Sequence, residues 1–157
     1  MSLSDTRWLS QLKSTSYLTR MRARRKIARR GGVEGIFLNT GGYVTEGASS
    51  NLFIVKRGRL LTPPLGDGLL AGTRRKAVLR LVRKMKIKVF EKSIRLNDLK
   101  KADEVFVTST LKDILPIGTF EGRRVGRVCP GLVTQKLTAA YEKFLKRQCR
   151  NQCPTGP

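Results

Sequence analysis

The chain has 157 residues, of which 33 are lysine or arginine and 11 are aspartate or glutamate, giving a net charge of +22. A chain of this length can form one domain with a hydrophobic core. Histidine is absent, which excludes His-based catalytic triads, His-ligated zinc and imidazole acid–base chemistry. Any general acid or base must therefore be a lysine, aspartate, glutamate, tyrosine or cysteine.

The sequence gives no sign of a membrane or disulfide-rich protein. No apolar run is long enough to span a bilayer, and the N-terminus lacks the apolar stretch of a signal peptide. The odd count of three cysteines, without metal-ligand spacing, favours reduced thiols, with a Cys149–Cys153 bridge as the alternative. We therefore expect a cytoplasmic protein that does not bind membranes.

The first predicted element is a basic helix over residues 15–30, which Gly31 and Gly32 end. Its thin apolar stripe consists of Leu18, Met21 and Ala28. Its dense charge predicts either a solvated helix face or a helix that docks on nucleic acid. Aromatic residues are not interleaved with it, which disfavours specific base recognition. The cations that would contact nucleic acid are Arg20, Arg22, Arg24, Arg25, Lys26, Arg29 and Arg30.

Short β-rich runs follow this helix and predict two hairpins. Residues 35–38 and 43–45 flank the turn sequence Asn39-Thr-Gly-Gly42. Residues 51–56 and 60–62 flank Arg57-Gly58, and Pro63-Pro64 ends the second pair.

Helices and strands are mixed in the rest of the chain. The apolar period predicts a helix from Gly72 to about Met85 and a closing helix from Leu132 to about Arg147, with Leu137, Tyr141 and Phe144 on one side. Between them, patterns predict strands at 87–94, 105–108 and 113–117, a helical turn at 98–101 and a hairpin at 122–125. Without strict alternation of strand and helix, the fold class is α+β. We expect one domain over residues 1–148 and a polar tail over 149–157.

Four blocks, in this order along the chain, resemble a known family. They are Lys13-Ser-Thr-Ser-Tyr-Leu18, Thr45-Glu-Gly-Ala-Ser-Ser-Asn51, Leu69-Leu-Ala-Gly-Thr-Arg-Arg75 and the segment 104–117, which begins Glu-Val-Phe-Val-Thr-Ser-Thr. Together they resemble the C-terminal half of class IV pyridoxal-phosphate enzymes, a family that includes branched-chain aminotransferases, D-amino acid aminotransferases and aminodeoxychorismate lyases. The resemblance extends from about Asp5 to about Phe144. It implies the family's C-terminal pseudo-barrel domain, with mixed strands flanked by helices, and finds no counterpart of the family's N-terminal domain.

The resemblance implies roles for individual residues. Lys13 corresponds to the Schiff-base lysine, which also moves a proton during the reaction. Glu46 corresponds to the carboxylate that faces the pyridine nitrogen and keeps it protonated. Tyr17 corresponds to a residue that contacts the cofactor's 3′-oxygen, with an aromatic anchor beneath the first helix as the alternative. Asn51 is expected to organise the turn.

The resemblance also places the cofactor's phosphate at the start of the helix after Gly72, where backbone N–H groups and the helix dipole favour an anion. Thr73 could add a hydroxyl group, and Ser109 and Thr110 match the family's second phosphate contact. Many relatives have Gly-x-Thr-Arg, whereas this chain has Arg74 at the threonine position. We hypothesise that Arg74 partly replaces a phosphate-binding arginine of the N-terminal half.

The resemblance implies transfer of an amino group from an amino acid to a 2-oxo acid, with pyridoxal phosphate as cofactor. An aminodeoxychorismate lyase-like enzyme is one alternative, and a non-catalytic basic binding module, such as a ribonucleoprotein component, is another. The family implies a homodimer, and a complementing second chain is also physically reasonable.

Overall fold

The computed structural model describes residues 18–152, except the side chains of Thr19 and of residues 150–152. The helices are α1 (Leu18–Ala28), α2 (Thr73–Lys84), α3 (Leu96–Lys100) and α4 (Leu132–Gln152), with a 3-10 turn at Leu65–Asp67. The strands are β1 (Ile36–Leu38), β2 (Tyr43–Gly47), β3 (Asn51–Lys56), β4 (Arg59–Thr62), β5 (Val89–Glu91), β6 (Ile94–Arg95), β7 (Glu104–Ser109), β8 (Asp113–Pro116), β9 (Thr119–Phe120) and β10 (Arg123–Arg124). The predicted α+β class is confirmed.

A five-stranded sheet in the order β5-β4-β3-β7-β8 forms the centre of the fold. Strand β3 is antiparallel to both neighbours, whereas β4 and β5 are parallel. A three-stranded sheet, β1-β2-β6, and the β9-β10 ribbon complete the strands of the described region. Both predicted hairpins and the ribbon hairpin are confirmed.

Both faces of the central sheet are covered, because alternate residues of β3 enter different cores. Phe53 and Val55 pack with α2 and α4, and the Phe53 ring stacks on Phe106 with 5.0 Å between centroids. Leu52 and Ile54 pack on the other face with residues of β2, β6 and α3. Helix α2 therefore packs on one face of the central sheet, and β2 packs on the other.

The expectation of one strand over 87–94 is wrong, because this segment crosses between sheets. Strand β5 adds to the central sheet beside β4, whereas β6 pairs with β2 in the smaller sheet. Val89 packs against the core that contains Phe53, whereas Ile94 is buried in the core that contains Leu52. The apolar pattern recorded burial at both ends and could not reveal that two cores were involved.

Helix α1 lies within the predicted range, but its apolar stripe was wrongly placed. Leu18 is 72% exposed and Met21 is 50% exposed. Ile27 contacts the body of the fold instead: a Cβ atom on Gly35 would lie 2.1 Å from Ile27 Cδ1, so Gly35 permits this close approach. A weak amphipathic pattern among many arginines thus identified the helix without identifying its packing face.

Two further expectations concern cysteines and membranes. Cys129 and Cys149 are free thiols, and Cys153 lies outside the described residues. Within residues 18–152, no helix is both long and apolar enough to cross a bilayer.

Candidate functional site

Glu46 is a buried carboxylate near the end of β2. The residue is only 4% exposed, and each of its oxygens accepts a hydrogen bond. Arg20 Nη2 donates to Oε1, and the backbone N–H of Leu70 donates to Oε2 at 3.1 Å. Because a buried charge is costly unless it is paired and hydrogen-bonded, these contacts are what permit a carboxylate at this position.

Asn51 holds the other side of the same peptide segment. Its side-chain Nδ2 donates to the Leu70 carbonyl at 2.8 Å. Glu46 and Asn51 therefore bind the N–H and the C=O of Leu70 respectively, which fixes the segment that leads into α2. Asn51 was expected to organise the local turn, but its side chain bonds the distant Leu70 instead. The spacing of Glu46 and Asn51 in the motif therefore lets both side chains reach the same residue.

The hydrogen bonds of Glu46 and Asn51 to Leu70 form a clamp, and Gly72 lies next to it. A Cβ atom there would be 2.1 Å from Asn51 Oδ1, so a side chain at this position would displace the Asn51 amide. Gly72 is also the N-cap of α2, with φ −61° and ψ 141°, and its cap has no side-chain hydrogen bond. Because Gly72 has no side chain, it cannot accept a hydrogen bond from the first-turn N–H groups of the helix. Such free N–H groups favour an anion.

Glu34 fixes the loop between Glu46 and Asn51. Its Oε1 accepts from Ala48 N at 2.9 Å, and its Oε2 accepts from Ser50 Oγ at 2.9 Å. A Cβ atom on Gly47 would lie 2.3 Å from Ser50 Oγ, so a side chain there would displace the hydroxyl that donates to Glu34. Sequence reasoning missed Glu34, because nothing in its local sequence distinguishes it from a surface glutamate.

The predicted second phosphate segment lies at the end of β7. In the sheet register Asn51 pairs with Thr108, so Ser109 and Thr110 follow a residue that is next to the clamp. Ser109 Oγ accepts from Lys112 N at 3.1 Å, and Thr110 is exposed. Thr108 is buried, and its hydroxyl has no hydrogen-bond partner among the described residues.

The two neighbouring arginines of α2 have different environments. Arg75 is only 3% exposed, and its Nη2 donates to Pro63 O and to Glu91 Oε2, both at 2.9 Å. Arg74 is less buried, and its Nε lies 3.3 Å from Asp113 Oδ1. Arg75 is therefore a structural residue that joins α2 to β5, whereas Arg74 has the more accessible guanidinium.

Tyr141 of α4 lies behind Arg74. The Arg74 guanidinium carbon is 5.8 Å from the centroid of the Tyr141 ring. Burial raises the pKa of the Tyr141 phenol above its ordinary value, while the charge of Arg74 acts in the opposite direction. The phenol is therefore neutral at physiological pH, and its ring face supports the guanidinium.

Glu46, Asn51 and Gly72 thus lie together in the structure. The pairing of Asn51 with Thr108 places Ser109 and Thr110 at the same end of the central sheet. Thr73 is exposed at the start of α2. Lys13 and Tyr17 lie outside the described residues.

Comparison with known proteins gives this arrangement a family. A family profile described as "Amino-transferase class IV" matches residues 1–120. The chain belongs to the class IV aminotransferases. It is 37% identical over 126 residues to the branched-chain-amino-acid aminotransferase of Escherichia coli K12, a match that covers 80% of this chain and 41% of that protein. The chain therefore spans less than half the length of this curated relative.

Solved structures of class IV aminotransferases and related proteins have the same fold. The branched-chain aminotransferase of Thermobaculum terrenum in its pyridoxal-phosphate form superposes with a TM-score of 0.83 at 29% identity, covering 86% of this chain and 45% of that one. A Legionella pneumophila protein provisionally named a 4-amino-4-deoxychorismate lyase superposes with a TM-score of 0.81 at 30% identity, covering 86% and 50%. The expected C-terminal domain of the class IV fold is confirmed.

The clamp predicts a stability effect that is separable from catalysis. Replacing Asn51 with Ala should lower the free energy of unfolding by about 2 kcal/mol, because a buried hydrogen bond is lost. Urea unfolding measures the effect, with Asn97→Ala as the control because Asn97 is exposed on α3. Equal midpoints for the two variants would contradict the proposed clamp.

Proposed function

We propose that this chain carries the cofactor-binding half of a pyridoxal-phosphate-dependent aminotransferase that moves an amino group between an amino acid and a 2-oxo acid. The observation that carries the proposal is the buried Glu46 carboxylate, clamped to the segment that opens α2. Stability alone is a weak reason for a buried ion pair, because well-packed apolar residues of similar volume are often at least as stabilising. Branched-chain amino acids are the first substrates to test, since the Escherichia coli relative is a branched-chain enzyme.

The donor set fits pyridoxal phosphate. Glu46 offers a carboxylate for a ring nitrogen, and α2 begins after Gly72 without a side-chain cap on its first-turn N–H groups, which suits an anion such as the phosphate. The unpartnered buried hydroxyl of Thr108 lies at the adjoining sheet edge. When bound, the cofactor supplies an electron sink for the charge that develops at the substrate's Cα.

Each proposed site residue has one task. Lys13 Nζ attaches the cofactor and moves a proton, and Glu46 interacts with the ring nitrogen. Tyr17 contacts the ring's 3′-oxygen. The phosphate group is held by Gly72, Thr73, Arg74, Ser109 and Thr110. The supports for these assignments are the family membership and, for the described residues, their position at one end of the central sheet.

The first experiment is a titration of the purified protein with pyridoxal phosphate, followed by visible absorption. We expect a protein-dependent band in the wild type and its loss in Lys13→Ala. Lys143→Ala is the matched control, since Lys143 is exposed on α4 and the substitution removes the same charge. Absence of the band from the wild-type protein would refute a self-sufficient cofactor site in this chain.

Arg74 provides a second test. We propose that its guanidinium binds the phosphate and that Asp113 occupies it when no phosphate is bound. Arg74→Thr should weaken pyridoxal-phosphate binding about tenfold, because a charge-assisted contact is lost. Asp113→Asn should strengthen binding, since the competing carboxylate is removed.

The control for Arg74 is Arg80→Thr, which removes the same charge from an exposed position of the same helix. If Arg74→Thr and Arg80→Thr bind the cofactor equally well, Arg74 has no direct role.

A second candidate function is binding of nucleic acid through α1, and one observation favours it. Apart from Arg20, the cations predicted to contact nucleic acid are exposed and have no ion pair among the described residues. They are Arg22, Arg24, Arg25 and Lys26 of α1 and Arg29 and Arg30 just after it. A steep loss of RNA affinity with salt is expected of any polycation, so only a defined site size or a sequence preference would support this function.

A further inference from the structure

Arg20 is the cation that contacts Glu46, and it belongs to a different element. Its Nη2 bonds Glu46 Oε1, its Nη1 donates to Ala48 O at 3.3 Å, and its guanidinium carbon lies 5.9 Å from the centroid of the Phe37 ring. The side chain is 30% exposed, whereas that of Glu46 is 5% exposed. Three contacts thus hold the Arg20 side chain against the smaller sheet.

The neighbouring cations of α1 show that this position is specific. Arg22 and Arg24 are exposed, and neither has an ion pair among residues 18–152. If solvation alone decided where these side chains lie, every cation of the helix would point into water. One cation is instead directed onto the buried carboxylate that is proposed to contact the cofactor.

The charge of Arg20 changes what Glu46 can do. A lone buried carboxylate strongly favours a cation beside it, because opposite charges attract more strongly where water is excluded. A guanidinium bonded to the same carboxylate repels a second cation and cancels most of that attraction. The second oxygen of Glu46 already accepts the Leu70 N–H, so neither oxygen is without a donor.

We propose that Arg20 determines the electrostatic character of this site: by neutralising Glu46, it causes the cofactor to be held with a ring nitrogen less protonated than a lone buried carboxylate would enforce. This inference rests on the proposed function. A less protonated ring withdraws electrons more weakly, so Arg20 would moderate the electron sink that the site provides.

The test uses pyridoxal phosphate labelled with ¹⁵N in the ring, because the nitrogen's chemical shift reports its protonation without any turnover. The proteins are the wild type, Arg20→Met, Arg20→Lys and Arg22→Met. Arg20→Met removes the charge beside Glu46, Arg20→Lys retains it, and Arg22→Met removes the same charge from an exposed position of the same helix.

We expect the ratio of protonated to neutral ring nitrogen to rise about tenfold or more in Arg20→Met, because one nearby charge shifts such an equilibrium by that amount. Arg20→Lys and Arg22→Met should resemble the wild type. If Arg20→Met does not fold, Arg20→Gln gives the same comparison, since it can still donate a hydrogen bond to Glu46 but carries no charge.

The outcomes separate this inference from the function on which it rests. Cofactor binding by all the proteins with an identical ¹⁵N shift would overturn the role of Arg20 and leave the proposed function standing. Failure of every protein to bind the cofactor would overturn both. Binding by Arg20→Met together with failure of the wild type to bind would also overturn the inference, because the wild type would then hold no cofactor whose ring nitrogen Arg20 could influence.

Discussion

The peptide at Leu70 is held from both sides, and the candidate site depends on this constraint. Glu46 accepts its N–H and Asn51 donates to its carbonyl, so strands β2 and β3 are both tied to the entrance of α2. Gly72 then packs against Asn51 with no room for a side chain. The Glu46 carboxylate, the N-terminus of α2 and the first residue of β3 are thereby fixed relative to one another.

The few acids of this basic chain are used selectively. With 33 basic and 11 acidic residues, most cations cannot have an anionic partner. Yet Arg20, Arg74 and Arg75 are paired with Glu46, Asp113 and Glu91 respectively. Where guanidinium groups lie close to the site they are neutralised, whereas the cations of α1 around Arg22 remain in solvent. The overall charge therefore says little about the local field at the site.

Much of this structure could be predicted from the sequence because the relevant signals are local. The turn sequences around Gly42 and Gly58 identified the hairpins, and the period of Val78 and Val82 identified α2. The family motifs singled out Glu46 and Gly72, and the structure places both beside the segment that leads into α2. What the sequence could not reveal were contacts between distant residues, such as Arg20 with Glu46 or Arg74 with Asp113. These contacts depend on how α1 and β8 are placed by the rest of the fold.

The pairing of β2 also has a consequence for how the chain folds during its synthesis. Strand β2, which carries Glu46, pairs with β6 through Val44 and Ile94. Its neighbour β1 is local, but β6 follows only after β3, β4, α2 and β5. Such non-local pairs form slowly, because the intervening loop must close first. When the whole Glu46 motif has been translated, β1 is therefore available to pair with β2 but β6 is not. One side of β2 remains unpaired until residue 94 has left the ribosome.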